Sequence, residues 1–157
     1  MKIVFIGDAG VGKTSIIRKY LGMELSENST LGVEVFKIPQ KSNLIIWDLS
    51  GQPKFSSYIP QYLIGARVIV LVFDISNKAS LESLQKWSNL LQQYVKNTSH
   101  VVVVGNKKDL GEQVSEEEVR EALEKAGLPV KEFIKTSALT GENINLLFEK
   151  IIQLLTQ

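Results

Sequence analysis

Short runs rich in β-branched residues alternate with amphipathic stretches along the whole chain. The runs at 2–6, 33–38, 44–48, 68–73, 101–105 and 130–134 predict strands. Helical spacing of apolar positions predicts helices at 13–21, 79–96, 115–126 and 143–155, with a weaker one near 54–64. Strand-helix alternation of this kind predicts a mostly parallel sheet covered by helices on both faces. The runs 33–38 and 44–48 are separated only by Pro39-Gln40-Lys41-Ser42-Asn43, too short for a crossover, so they predict an antiparallel hairpin. The expected architecture is therefore α/β, with a six-stranded mostly parallel sheet and one antiparallel hairpin strand, in a single domain over 1–157.

Two helices carry their own punctuation. Ser115 with Glu118 predicts a capping box at the start of 115–126, and Gly127 followed by Pro129 predicts its end. Ile144, Leu147, Phe148, Ile151, Ile152 and Leu155 recur at helical spacing, so the last helix should bury that stripe against the sheet.

Composition narrows the class. With 44% apolar and 22% charged residues in 157, the chain has the balance of a globular domain able to bury one core. The longest strand-like apolar run, Val68 to Phe73, is far short of a membrane span. Net charge is +1, with no basic stripe, so a nucleic-acid partner is not expected. Cysteine is absent, which excludes disulfides, prenylation and palmitoylation, and Lys2 after Met1 excludes myristoylation. The expectation is a cytoplasmic chain with no membrane anchor of its own. Peripheral attachment would need a missing tail or a recruiting partner. The only histidine, His100, precedes a strand and reads as structural.

Candidate chemistry begins where the first strand ends. Gly7-Asp8-Ala9-Gly10-Val11-Gly12-Lys13-Thr14 fits G-x-x-x-x-G-K-[ST] between a predicted strand and a predicted helix. Glycines let successive N–H groups converge on one phosphate, and Lys13 and the helix N-terminus add positive charge. The Thr14 hydroxyl suits Mg²⁺. This loop does not by itself choose between ATP and GTP.

The base is chosen by Asn106-Lys107-Lys108-Asp109, which follows the apolar run ending at Gly105. In open parallel sheets ligands sit at the carboxyl ends of strands, the edge that also carries the phosphate loop. A carboxylate at 109 accepts from the N1–H and 2-amino groups of guanine, whereas adenine offers neither donor. At the end of the 44–48 run, Asp48 is placed to hold Mg²⁺ through a water, and just beyond it the Gly51 amide is placed to reach a γ-phosphate. Gln52 falls where an attacking water would be oriented. Thr136-Ser137-Ala138-Leu139, a weak signal alone, takes meaning from its order after the other segments, with its backbone directed at guanine O6.

These five segments, in this order, resemble the Ras superfamily of small GTPases over essentially the whole chain. The Rab branch is the most similar, through Trp47-Asp48, Ser29-Thr30-Leu31-Gly32-Val33-Glu34 and Thr136-Ser137-Ala138-Leu139-Thr140-Gly141-Glu142-Asn143. The resemblance implies a P-loop NTPase fold and a molecular switch of the kind used in signalling and vesicle trafficking, slow in GTP hydrolysis without help. It makes Thr30 the switch threonine that meets Mg²⁺ and γ-phosphate, and 23–34 and 50–64 the two switches. The implied nucleotide set is Ala9, Gly10, Val11, Gly12, Lys13, Thr14, Ser15, Thr30, Gly51, Asn106, Lys107, Asp109, Ser137, Ala138 and Leu139. Thr14, Thr30 and Asp48 are the metal set, and Gln52 and Lys13 the catalytic pair.

Partners implied are GTP or GDP with Mg²⁺, effector proteins, and an activating protein that supplies an arginine. The three arginines, Arg18, Arg67 and Arg120, all fall outside the switches. Four departures stand out. Pro53 occupies a position usually acidic and used in nucleotide exchange, so the sequence does not identify an exchange factor. Ser50 replaces a common alanine, and Ala9 stands where glycine or serine is usual. No aromatic lies in 21–29, leaving Met23, or Leu25 if the register shifts, where the family packs a ring on guanine.

Overall fold

The computed structural model describes residues 1–25, 32–39 and 41–156, with the Ser42 side chain omitted. Thr30, with Ser29 and Leu31, lies outside the described residues. The strands are β1 (Lys2–Ile6), β2 (Val33–Ile38), β3 (Lys41–Leu49), β4 (Ala66–Asp74), β5 (His100–Asn106) and β6 (Glu132–Lys135). The helices are α1 (Lys13–Leu21), α2 (Ile59–Leu63), α3 (Ser80–Gln92), α4 (Glu116–Ala126) and α5 (Ile144–Leu155).

The strands form one sheet in the order β2-β3-β1-β4-β5-β6. All neighbours run parallel except β2 and β3, which pair antiparallel with Glu34 opposite Asp48. Period-two alternation then sorts the side chains. Ile3 and Phe5 of β1, with Val102 and Val104 of β5, face α1 and α5, burying Ile16, Ile17, Leu147, Phe148 and Ile151. Val4, Ile6, Val101 and Val103 face the other way, onto Ile59, Leu63, Leu84, Leu91, Val119 and Leu123 from α2, α3 and α4. Burial on both faces is why β1, β4 and β5 read as unbroken apolar runs rather than alternating ones.

The capping box forms as expected. Ser115 Oγ accepts from the Glu118 N–H at 3.1 Å, Glu118 Oε1 accepts from the Ser115 N–H at 3.2 Å, and Gly127 closes the helix in the left-handed region. Other bounds differ from the hydrophobic pattern for identifiable reasons. β3 begins at Lys41, three residues before the apolar run, because an edge hairpin is held by backbone pairing (Ile38 opposite Lys41) and does not require apolar side chains there. β6 begins at Glu132 rather than 130, since Val130 packs on the core before the ladder starts. Helix α3 stops at Gln92, while Val95 continues its apolar periodicity by packing on the core from a turn. The weak pattern at 54–64 resolves into a 3₁₀ turn, Pro53–Tyr58, followed by α2. In α5, Leu154 is buried where the pattern favoured Ile152, which is only partly covered. Among the described residues, no helix is long and apolar enough to cross a membrane.

Parallel register carries the ends of β1, β3, β5 and β6 to one edge. Phe5 is level with Asp48, and Gly105 with Lys135, so the segments 7–14, 48–52, 106–109 and 136–139 all emerge there.

Candidate nucleotide-binding site

The loop after β1 turns into α1 through Gly12 (φ 99°), a left-handed conformation that disfavours a side chain. A Cβ at Gly12 would also lie 2.3 Å from Asn106 Nδ2. The first turn of α1 has no side-chain cap, so no N-cap side chain occupies the helix N-terminus. That is the geometry that receives phosphate at a helix of this length.

Lys13 is 5% exposed, and its ammonium donates to the carbonyls of Gly7 and Asp8, each at 2.9 Å. Burial pushes the ammonium down to about 8, while the carboxylates of Asp48 and Asp8 pull the opposite way. Thr14 Oγ1 donates to Asp48 Oδ2 in a short contact, and Asp48 is fully buried beside the lysine. A hydroxyl and a carboxylate in mutual contact are hard oxygen donors. With phosphate oxygens and waters they match what Mg²⁺ accepts. The donor set fits the cation that Ras-family GTPases generally use.

Asn106 is 2% exposed and joins the two halves of the site. Its Nδ2 donates to the Val11 carbonyl at 2.9 Å, in the phosphate loop. Its Oδ1 accepts from Thr136 Oγ1 at 2.9 Å and from the Ala138 N–H at 3.2 Å, in the segment after β6. The side chain expected at the nucleotide is thus also the bracket between loops. Asp109 is exposed, and one of its carboxylate oxygens accepts from Ser137 Oγ at 2.7 Å, which aims the carboxylate. Ser137 Oγ in turn accepts from the Thr140 N–H at 3.1 Å. Lys107 adopts φ 66° and sends its ammonium to within 3.9 Å of Asp74 Oδ2, laying its stem across the strand ends. Leu139 is exposed at the same edge.

The second-switch segment also reaches the loop. A Cβ at Gly51 would fall 2.2 Å from the Gly7 carbonyl oxygen and 2.3 Å from the Ala9 nitrogen, so only glycine allows this approach. Ser50 is buried, and its Oγ accepts from the Gln52 N–H at 3.2 Å, a local turn that an alanine cannot make. Gln52 lines a cleft of about 490 Å³ with Asp8, Gly51, Pro53 and Trp87. Ala9 and Gly10 are exposed at the loop tip, and Met23 and Leu25 are about two-fifths exposed beyond α1.

The three arginines are all engaged or distant from the strand-end edge. Arg18 pairs with Glu34 at 3.3 Å, Arg120 pairs with Glu117 and Glu124, and Arg67 lies near the start of β4, opposite the loop edge. Sequence reasoning missed Thr136 and Val11 as partners of Asn106, and Trp87 as partner of Asp8. These contacts join residues 30 to 95 positions apart, and no local pattern encodes them.

Comparison with known proteins agrees with this geometry. A family model described as Ras family matches residues 2–157. The Ras-related protein Rab-3 of Caenorhabditis elegans is 32% identical over 98% of this chain and 73% of its own length. Rab-26 of Bos taurus is 34% identical over 99% and 64%, and Rab-11A of Dictyostelium discoideum is 36% identical over 96% and 73%. With the family match spanning the loop, the guanine-side segments and the whole sheet between them, this chain belongs to the Ras family, as a Rab-like small GTPase that binds GTP, hydrolyses it and switches shape with its nucleotide.

Proposed function

We propose that residues 1–157 form one GTP-binding domain whose reaction is in-line attack of water on the γ-phosphate. The observation that carries this reading is the cluster of Lys13, Thr14 and Asp48 at the loop, bracketed by Asn106 to the guanine-side segment. In it, the amides of Ala9 to Ser15 and the Lys13 ammonium hold the β- and γ-phosphates and neutralise charge that develops on them. Thr14, Asp48 and Thr30 hold Mg²⁺, which when bound shares the negative charge of the phosphate oxygens. The Gly51 amide donates to the γ-phosphate, and Gln52 orients the water. Asn106, Lys107, Asp109 and the backbone of Ser137, Ala138 and Leu139 receive guanine, with Asp109 selecting against adenine.

Arg67 and Arg120 are remote from the loop and Arg18 is engaged by Glu34, so none is free to serve the γ-phosphate and unaided turnover is slow, on the order of 10⁻⁴ s⁻¹ as in Ras. An activating protein inserting an arginine would raise it by roughly 10³–10⁵. Effectors bind in the GTP state, and any membrane attachment of an otherwise cytoplasmic chain comes through a partner or further sequence.

Two measurements test this reading. Nucleotide extracted from the purified protein should be guanine nucleotide at close to one equivalent, and adenine nucleotide would overturn the base assignment. Single-turnover hydrolysis of bound GTP should take hours. A rate above about 0.1 s⁻¹ without a partner would contradict the need for an external arginine.

A further inference from the structure

Asp8 is held from three sides. Its main-chain carbonyl accepts from the Lys13 ammonium at 2.9 Å. Its carboxylate Oδ1 accepts from the indole N–H of Trp87, on α3, at 2.8 Å. Its peptide lies under Gly51, since a Cβ there would fall 2.3 Å from the Asp8 carbonyl carbon. Two segments remote in sequence thus meet the lysine of the loop itself at one residue, Asp8.

A carboxylate in a loop that gathers anions is an electrostatic liability. Beside phosphate it would repel the ligand unless its charge is turned away. The indole N–H supplies that direction, since a hydrogen bond to an ionised acceptor is stronger than a neutral one. Trp87 is itself anchored, because its half-buried ring packs on the core that α3 shares with the sheet. Losing the N–H would free the carboxylate to sample other rotamers. It would also loosen the peptide whose carbonyl holds Lys13.

We propose that Trp87 and Asp8 are a positioning pair that turns the loop's own negative charge away from the nucleotide, fixes the Lys13 ammonium, and couples α3 to the nucleotide site. This rests on the assignment of the loop as the phosphate site. The pair also borders the cleft beside Gly51 and Gln52, so a displacement of the second switch reaches α3 through Asp8.

The test is a double-mutant cycle on release of fluorescently labelled GDP from the full chain with Mg²⁺. Trp87→Phe keeps a ring in the core and removes the donor, while Asp8→Ala removes the acceptor. Trp87→Phe should speed release about tenfold, Asp8→Ala, which loses the anchor but also the charge, should speed it by less, and the double variant should be no faster than Trp87→Phe alone. Asp8→Asn, which keeps an oxygen acceptor without the charge, should stay within about threefold of wild type. Thermal melts run alongside, and if Trp87→Phe fails to fold, Asp8→Ala and Asp8→Asn on the loop carry the comparison. Release unchanged in Trp87→Phe despite a lowered melting point would reduce the pair to packing and overturn the inference. So would multiplicative effects in the double variant, or Asp8→Asn as fast as Asp8→Ala. A wild-type chain that retains no GDP would remove the site assignment and this inference with it, whereas GDP retention with silent variants would remove the inference alone.

Discussion

Asn106→Ala is the sharpest perturbation of the site, because one side chain satisfies three groups on two loops. Removing it leaves the Val11 carbonyl, the Thr136 hydroxyl and the Ala138 amide without the partners now at 2.9, 2.9 and 3.2 Å. Thr136 is fully buried and Asn106 nearly so, which limits replacement by water. Each orphaned buried group costs about 1–3 kcal/mol, and taking the low end for all three gives about 3 kcal/mol. For a chain of this length about 1 kcal/mol moves the melting point by about 2–4 °C, so the nucleotide-free variant should melt about 6–12 °C lower. Thr136→Val breaks only one of these bonds and leaves Asn106 Oδ1 its Ala138 donor, so it should lose about 1 kcal/mol, or about 2–4 °C. GDP affinity should fall at least about tenfold in Asn106→Ala, since the bracket sets the spacing between phosphate loop and guanine segment. Thermal melts with and without GDP, together with titration calorimetry, measure both effects. A melting shift below about 2 °C would mean that water or rearrangement satisfies the three groups. Normal GDP affinity in a destabilised protein would refute the positioning argument.

Three further outcomes follow from the same geometry. Asp109→Asn should weaken GDP binding by about 2–3 kcal/mol and favour xanthine over guanine nucleotides, because the amide matches only one of two base donors; affinities within threefold of wild type would refute it. Burial holds the Lys13 ammonium down to about 8, and a bound phosphate would raise that value. Affinity is therefore nearly full at about pH 7 and is lost as pH rises through about 8, falling about three- to fourfold between pH 7 and 8.5, while a flat profile would show the lysine fully protonated throughout. Met23→Phe or Leu25→Phe should slow GDP release by roughly 2- to 10-fold, as a rigid ring covers the base better than a flexible aliphatic chain, and unchanged release in both would place neither over guanine.

Local chemistry makes much of this protein legible in its sequence. The loop Gly7–Thr14 declares itself because phosphate binding needs glycines, a lysine and a hydroxyl in consecutive order. The Ser115 cap, the Gly127 stop and the doubly buried strands are likewise written within a few residues of one another. The edges of elements were less legible. Val95 and Val130 are apolar because they pack on the core, yet they lie outside the helix and strand that their pattern extends. Lys41 is polar yet pairs in the sheet, since its backbone rather than its side chain makes that contact.

The site's internal wiring was decided by tertiary structure alone. The order β2-β3-β1-β4-β5-β6 puts β1, β3, β5 and β6 ends on one edge, and only there do Val11, Asn106 and Thr136 come within hydrogen-bond reach. Asp8 meets Trp87 for the same reason, since α3 packs under the sheet beside the loop. Sequence determines which groups require partners, because a buried amide, indole or carboxylate must be satisfied wherever it goes. Which partner satisfies each depends on how the strands are ordered, and that order is settled by burial over the whole chain.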